Sequence, residues 1–385
     1  MSELPKSLQA VPLPNLGQDD RFATTSNLVN TISMKIIDPG SQSIWGYISI
    51  DNTDRGPGLG GIRMVKEVSL NEIRRLARVM TLKNSAACLP YGGAKAGIIA
   101  DPACSREQKE KLVRTFARMI RSVTEYIPGP DMGTNEECMA WVKDEIGRAA
   151  GLPRVLGGIP LDEIGATGFG VAVAAEVTAS EAGISLKESH LAVQGFGAVG
   201  RHAANFLGKR GAILVAVSDS HGAIQNQNGL DVDALIKHKK EGSPVHTFPG
   251  GQAIGRDELV GIKCDIWIPA ARPDVLTENN VDQLKARLVI HGANIPATET
   301  AEQLMHKRGI LNIPDFIANA GGVICAAVEF RGGSESQVME TIEEKIRTNT
   351  LEILERSKKE NLLPREAAVK MACSRIKKAM GYRGT

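Results

Sequence analysis

Apolar positions change their spacing twice along this chain, and each change predicts a different kind of element. Between Thr31 and Asp51 the runs ISMKII and SIWGYISI are rich in β-branched residues and flank the turn-like DPGSQ, the pattern of paired strands. From Ile73 the apolar residues fall on one helical face with Leu76, Ala77 and Met80, and Ser69 with Glu72 forms a capping box ahead of them. Ser105 with Gln108 opens a second helix bearing Leu112, Phe116 and Ile120, and Thr134 with Glu137 opens a third. After Gly151 the rhythm shortens. Apolar runs at Leu191–Val193, Ile213–Val217, Asp265–Pro269 and Leu288–Ile290 alternate with helical segments, which implies a parallel sheet covered on both faces. The last fifty residues read as helices, one starting at Ser334-x-x-Gln337 and another with Pro364 as its first residue.

This organisation predicts a two-domain α/β protein. Residues 1–150 form a mixed α/β domain, 151–333 a doubly wound domain, and 334–385 a set of helices returning toward the first domain. A chain of 385 residues exceeds what one hydrophobic core usually serves. The first twenty residues, rich in proline and polar groups, read as an irregular arm.

Composition narrows the function classes. Apolar content of 42% with 23% charged residues is ordinary for a globular protein, and a net charge of +2 gives no reason to expect nucleic acid or a membrane as partner. Basic runs such as Lys237–Lys240 read as solvated helix faces. The six cysteines are scattered without a CxxC pair, which argues against a zinc knuckle and a disulfide framework and fits a reducing cytoplasm. The start lacks the pattern of a signal peptide, and no apolar run approaches the roughly 18 residues that span a bilayer. The histidines show no metal-ligand spacing. A cytoplasmic protein is expected.

Two stretches carry candidate chemistry. Gly195-Phe196-Gly197-Ala198-Val199-Gly200 follows an apolar strand and opens a helix, the context in which GxGxxG binds a dinucleotide. Gly195 permits the tight turn, Gly197 lets the pyrophosphate approach the backbone, and Gly200 lets helix pack on strand. Asp219 ends the next strand, close to the expected spacing of about 20 residues. A carboxylate there accepts from the ribose 2′-hydroxyl and favours NAD, although Ser218, Ser220 and His221 beside it leave NADP open; the lesser alternative is an aspartate that only shapes a turn before Gly222. The other stretch runs from Arg55 to Lys95. Lys83 and Lys95 sit near glycines and suit a bound carboxylate or a polarised carbonyl. Asp131, just before a helix start, is available for proton transfer, or is a turn residue.

The motifs GPGLGGIRM, MTLKNSAACLPYGGAK, PDMGTNEECMAW, GATGFGV, GFGAVG, IPAA, GANIP and IANAGGVICAAVE, in this order, resemble the glutamate/leucine/phenylalanine/valine dehydrogenase family over nearly the full length. The resemblance implies a substrate and oligomerisation domain, a Rossmann domain, a cleft between them, and a homo-oligomer, hexamer or octamer, to which strands of the 31–51 region could lend an edge. It implies that Lys95 polarises the keto oxygen and activates water, that Asp131 moves protons to and from the amino group, and that Lys83 holds the α-carboxylate with the backbone around Gly92 and Gly93. Thr167, Ala270 and Asn294 match cofactor-contacting positions, and Asn319 falls near both nicotinamide and substrate. Members that prefer glutamate carry a lysine where this chain has Leu59, and a serine where it has Ala326. Both anchors for a second carboxylate are missing, so an apolar L-amino acid is the expected substrate, with NAD(P) as cofactor. The alternatives are a glutamate dehydrogenase with a rebuilt pocket and a relative that kept the fold without the chemistry. Ala96, where many relatives have glycine, and His291, where an acidic residue is common, are further departures.

Overall fold

The computed structural model describes residues 9–13, 32–38, 41 and 43–383. The chain forms two compact units, one of residues 1–160, 326–334 and 371–385, the other of 161–325 and 335–370.

The first unit is built on a sheet in the order β1-β2-β3-β5-β4-β6, from β1 (Gln9–Leu13), β2 (Ile32–Ile37), β3 (Ile44–Asn52), β4 (Gly58–Val65), β5 (Gly92–Ile99) and β6 (Tyr126–Pro130). β5 runs antiparallel to β3 and parallel to β4, and β4 is parallel to β6. α1 (Leu70–Ala86) packs against β3 and β5, burying Ile73 and Ala77. α2 (Arg106–Met119) and α3 (Glu136–Ile146) pack on each other, and Phe116, Met139 and Trp141 join Ile48, Ile62 and Ile98 in the core. Ser69 and Ser105 cap their helices as the pattern predicts.

Three expectations need correction here. Residues 9–13 are not an irregular arm but a strand paired with β2; Pro12 is tolerated because β1 lies at the sheet's edge, where a missing N–H breaks no inner ladder. The rest of the first twenty residues lies outside the described residues, as do three positions of the DPGSQ turn. Neither β2 nor β3 offers an edge, since each is flanked on both sides. The cap of α3 is Asn135, whose side chain accepts from Cys138 N, while Thr134 turns inward to donate to Ile62 O.

The second unit carries a sheet in the order β10-β9-β8-β7-β11-β12-β13. Its parallel part is β7 (His190–Gln194), β8 (Ile213–Ser218), β11 (Ile266–Pro269), β12 (Leu288–Ile290) and β13 (Leu311–Ile313). β9 (Ala223–Gln225) and β10 (Gln252–Ile254) extend it antiparallel, and these two with β13 are strands that the apolar pattern did not mark, each only three residues long. α4 (Ala166–Glu181) is buried over most of its surface and packs on α5 (Ala198–Gly208) and on α10 (Glu335–Glu360). α6 (Val232–Lys240), α7 (Glu299–Lys307) and the short α8 (Asp315–Ala318) connect the strands. α9 (Gly321–Phe330) and α11 (Pro364–Met380) each begin in this unit and end in the first. Among the described residues, no helix is long and apolar enough to cross a membrane.

Candidate active site

In the first unit β5 brings Lys95 into the middle of the sheet, opposite Ser49 of β3. Its side chain is 7% exposed, and Nζ lies 2.8 Å from Asp131 Oδ1. Asp131 follows β6, and its other oxygen accepts from Arg63 Nε at 2.9 Å. Arg63, on β4, also donates to Glu72 Oε1 at 2.7 Å, so Lys95, Asp131, Arg63 and Glu72 alternate in sign. This approach requires Gly61, because a Cβ there would stand 2.7 Å from both Asp131 Cβ and Pro130 O. Burial lowers the Lys95 pKa and outweighs the attraction of Asp131. Burial pushes Asp131 up, but Lys95 and Arg63 more than offset it, leaving the carboxyl below its usual range. A buried amine of depressed pKa against an ionised carboxylate is a pair able to exchange a proton with a third group.

Lys83 lies half-buried in the last turn of α1. Next to it Asn84 is fully buried, and its Nδ2 donates to Leu59 O at 3.1 Å and to Gly92 O. Asn84 thus ties β4 to the start of β5, where Leu59 stands in register with Gly93. Tyr91, just before the glycine pair, meets Phe330 edge-on at 6.2 Å, and the Arg331 guanidinium lies 5.6 Å over its ring. Phe330 is one turn beyond half-buried Ala326 on α9, within the same unit.

In the second unit the strand–turn–helix at Gly195 has the geometry that its sequence promised. Gly195 takes φ +97°, open to glycine, and its N–H and that of Phe196 bond to Ser218 O. α5 starts at Ala198 with Val199 and Gly200 in its first turn, and no side chain of the described residues caps it. A helix start left open in this way receives anions. The adjoining hollow, about 550 Å³, is lined by Gly195, Gly197, Asp219, Lys239, Arg256 and Ala270 among others. Gln194 Oε1, on its wall, finds no hydrogen-bond partner among the described residues. Elsewhere in the unit Asn319 Nδ2 donates to Asn294 Oδ1 at 2.9 Å and to Gly292 O at 3.3 Å. Thr167, in the first turn of α4, lies so close to Gly322 that a Cβ there would stand 3.0 Å from its hydroxyl.

Asp219 is heavily engaged. Oδ1 accepts from His221 N and Gly222 N at 2.8 and 3.2 Å, and Oδ2 from Lys239 Nζ and Val245 N at 2.7 and 2.9 Å. Burial works against its charge, but these donors hold its pKa at about 2. Lys239 therefore does not belong to a solvated face, as the basic run suggested; the helix turns it onto Asp219. Sequence reasoning also passed over Arg63, Asn84, Tyr91 and Arg256, and read Glu72 only as part of a helix cap, whereas its carboxylate takes Arg63. Arg63 lay in plain view two residues after a glycine pair, but its partner Asp131 is distant in sequence and meets it only through the β4–β6 pairing.

Comparison with known proteins places these two units in context. Residues 157–384 match a family model described as glutamate/leucine/phenylalanine/valine dehydrogenase, and residues 28–148 match one described as the dimerisation domain of Glu/Leu/Phe/Val dehydrogenase. The chain is similar to a glutamate dehydrogenase of Aeropyrum pernix, 36% identical over 92% of this chain and 90% of that one. It is also similar to one of Thermotoga maritima, 38% identical over 90% of this chain and 88% of that one. Among solved structures, the hetero-hexameric glutamate dehydrogenase of Thermus thermophilus, in its leucine-bound form, superposes with a TM-score of 0.80 at 28% identity, over 99% of this chain and 90% of that one. An L-tryptophan dehydrogenase from Nostoc punctiforme shares the fold with a TM-score of 0.73 at 24% identity, over 93% of this chain and 99% of that one.

Proposed function

Because this chain belongs to the glutamate/leucine/phenylalanine/valine dehydrogenase family, an NAD(P)-dependent family of oxidoreductases acting on CH–NH₂, we propose that it oxidatively deaminates an apolar L-amino acid to the 2-oxo acid and ammonia. The observation that carries the choice of substrate is Leu59. It is 2% exposed, stands in register with Gly93, and occupies the position where glutamate-preferring members hold a lysine. Tyr91 and Phe330 add aromatic surface in the same unit, near half-buried Ala326. A γ-carboxylate left there without partners costs several kcal/mol, whereas each buried CH₂ gains roughly 0.8 kcal/mol.

A bound nicotinamide would supply the hydride acceptor for the α-carbon. Lys83, with the Gly92–Gly93 backbone, holds the α-carboxylate. Lys95 in its neutral form takes a proton from the attacking water and, once protonated, polarises the oxygen of the forming carbonyl. Asp131 carries protons to and from the nitrogen that leaves as ammonia. Arg63 keeps Asp131 ionised and aimed. The pyrophosphate suits Gly195, Gly197 and the open start of α5, with Ala198, Val199 and Gly200 in its first turn; Thr167, Ala270, Asn294 and Asn319 serve the rest of the dinucleotide. To accept from the ribose hydroxyls of NAD, Asp219 would exchange one of the four donors that it holds, while Lys239 on its carboxylate and Arg256 in the same hollow offer cations to a 2′-phosphate. NAD is the cofactor proposed, and these cations leave NADP open. The chain works as a homo-oligomer, hexamer or octamer; a monomer in light scattering would contradict this.

A second reading, glutamate as substrate, is favoured by the names of the two relatives above and by Arg331 beside Tyr91, a cation on the aromatic wall. Reduced-nicotinamide absorbance with L-leucine, L-phenylalanine and L-glutamate at equal concentration separates them. Turnover with an apolar substrate and none with glutamate supports the first reading, and glutamate turnover overturns it.

A further inference from the structure

Ile295 has a backbone φ of +46°, a left-handed conformation that a β-branched residue rarely adopts. It is 45% exposed, so burial does not compel that conformation. It directly follows Asn294. Asp274, itself at φ +51°, donates its N–H to Ile295 O at 3.0 Å, and Val275 and Leu276 donate theirs to Pro296 O at 2.9 and 3.0 Å. These interlocked turns follow β11 and β12, and the first begins at Ala270 on the wall of the dinucleotide hollow.

The group that holds the turn is a buried carboxylate. Ile295 N–H donates to Asp315 Oδ2 at 3.0 Å, and Asp315, 2% exposed, has its other oxygen 2.9 Å from Arg365 Nη2. Arg365 in turn grips Glu302, also 2% exposed, with Nε and Nη2 at 2.7–2.9 Å. His291 completes the cluster, fully buried, with Nδ1 3.8 Å from Glu302 and neither ring nitrogen hydrogen-bonded among the described residues. Local strain held by a dedicated buried network, beside a binding surface, is the signature of a preorganised turn.

We propose that Asp315, fixed by Arg365, is a positioning residue for the dinucleotide. It keeps the Ile295 turn left-handed and thereby sets where Asn294 and the loop from Ala270 to Asp274 stand when the cofactor binds. The inference rests on the reading of Asn294 and Ala270 as cofactor contacts, and it gives the cluster around His291 a purpose that the sequence did not suggest.

Glycine adopts φ near +46° without help, which supplies the test. NADH dissociation constants from fluorescence are measured for the wild type, Asp315→Asn, and Asp315→Asn combined with Ile295→Gly. Asp315→Asn is expected to weaken NADH about tenfold, the order of one charge-assisted hydrogen bond. The glycine should recover binding to within about threefold, and Arg365→Lys should fall between wild type and Asp315→Asn. The KM for the amino acid and kcat at saturating cofactor should stay within about twofold. Binding that glycine does not restore, or a loss confined to kcat, overturns the inference. Should Asp315→Asn not fold, the melting temperature of Ile295→Gly decides: unchanged or raised supports a strained turn, and a fall of several degrees overturns it. A wild type that binds neither NADH nor NADPH defeats the functional reading itself, and the inference with it.

Discussion

Two aspartates, one in each unit, follow strand ends, and their surroundings differ in kind. Asp131 gives both oxygens to side chains, Lys95 Nζ and Arg63 Nε, which are themselves charged and one of which has a depressed pKa. Asp219 accepts three of its four hydrogen bonds from the backbone N–H groups of His221, Gly222 and Val245, and the fourth from Lys239. A carboxylate facing titratable partners can pass a proton on. One facing amides has fixed acceptors' work to do: it shapes the turn around it and orients a cation. Under the proposed function the same residue type serves chemistry in one unit and recognition in the other, and its donors decide which.

The largest test of this contrast is a matched pair of substitutions. Asp131→Asn keeps the shape and removes the proton acceptor, so kcat should fall by about 10²–10⁴. Asp219→Asn should change kcat far less and act on the cofactor's KM; equal losses in kcat would erase the distinction. A buried group with no hydrogen-bond partner among the described residues, His291, extends the series. Burial pushes the His291 pKa down to about 4, against roughly 6.5 unfolded. The fold thus favours neutral histidine: this stability is complete above pH about 6.5 and is lost as pH falls toward 4, in all about 3 kcal/mol. Thermal melts from pH 7 to 4.5 should show the wild type losing more than His291→Leu, and parallel curves would refute this. Third, Arg63→Gln should cost about ten- to hundredfold in kcat/KM, equivalent to one charge-assisted hydrogen bond of roughly 1.5–3 kcal/mol. It should also move the acid limb of the pH profile upward, because Asp131 loses a cation that holds its proton off; an unmoved limb would mean that Arg63 merely packs. The smallest effect belongs to Lys239→Gln, which should weaken NADP about fivefold more than NAD, a fraction of a charge-assisted bond. No change in the NADP to NAD ratio would return Lys239 to a purely structural part.

Much of the architecture was legible because it rests on local rules. Leu288–Ile290 is strand β12 residue for residue, Ser69 and Ser105 cap their helices, and the GxGxxG run forms the expected turn. What escaped depends on distance along the chain or on competition between neighbours. Thr134 lost the cap to Asn135 because its hydroxyl found Ile62 O and Asp131 N instead. β1 escaped because a proline-bearing segment can still pair at an edge. The partners of the two aspartates escaped for a similar reason. Lys95 and Asp131 were singled out separately, but Arg63 joins them only through strand order, and Lys239 looked like one more exposed cation in a basic run.

The place of Lys95 in β5, with β3 along one side and β4 along the other, has a consequence for how the protein ages. Amides in such a strand exchange with solvent only when the whole sheet opens, so their protection should approach that of global unfolding. The amine of Lys95 is reached differently, through the substrate site, so bound substrate should shield it from acylating reagents while leaving amide exchange along β5 unchanged; inactivation then reports on the occupied site and exchange on the lifetime of the native state.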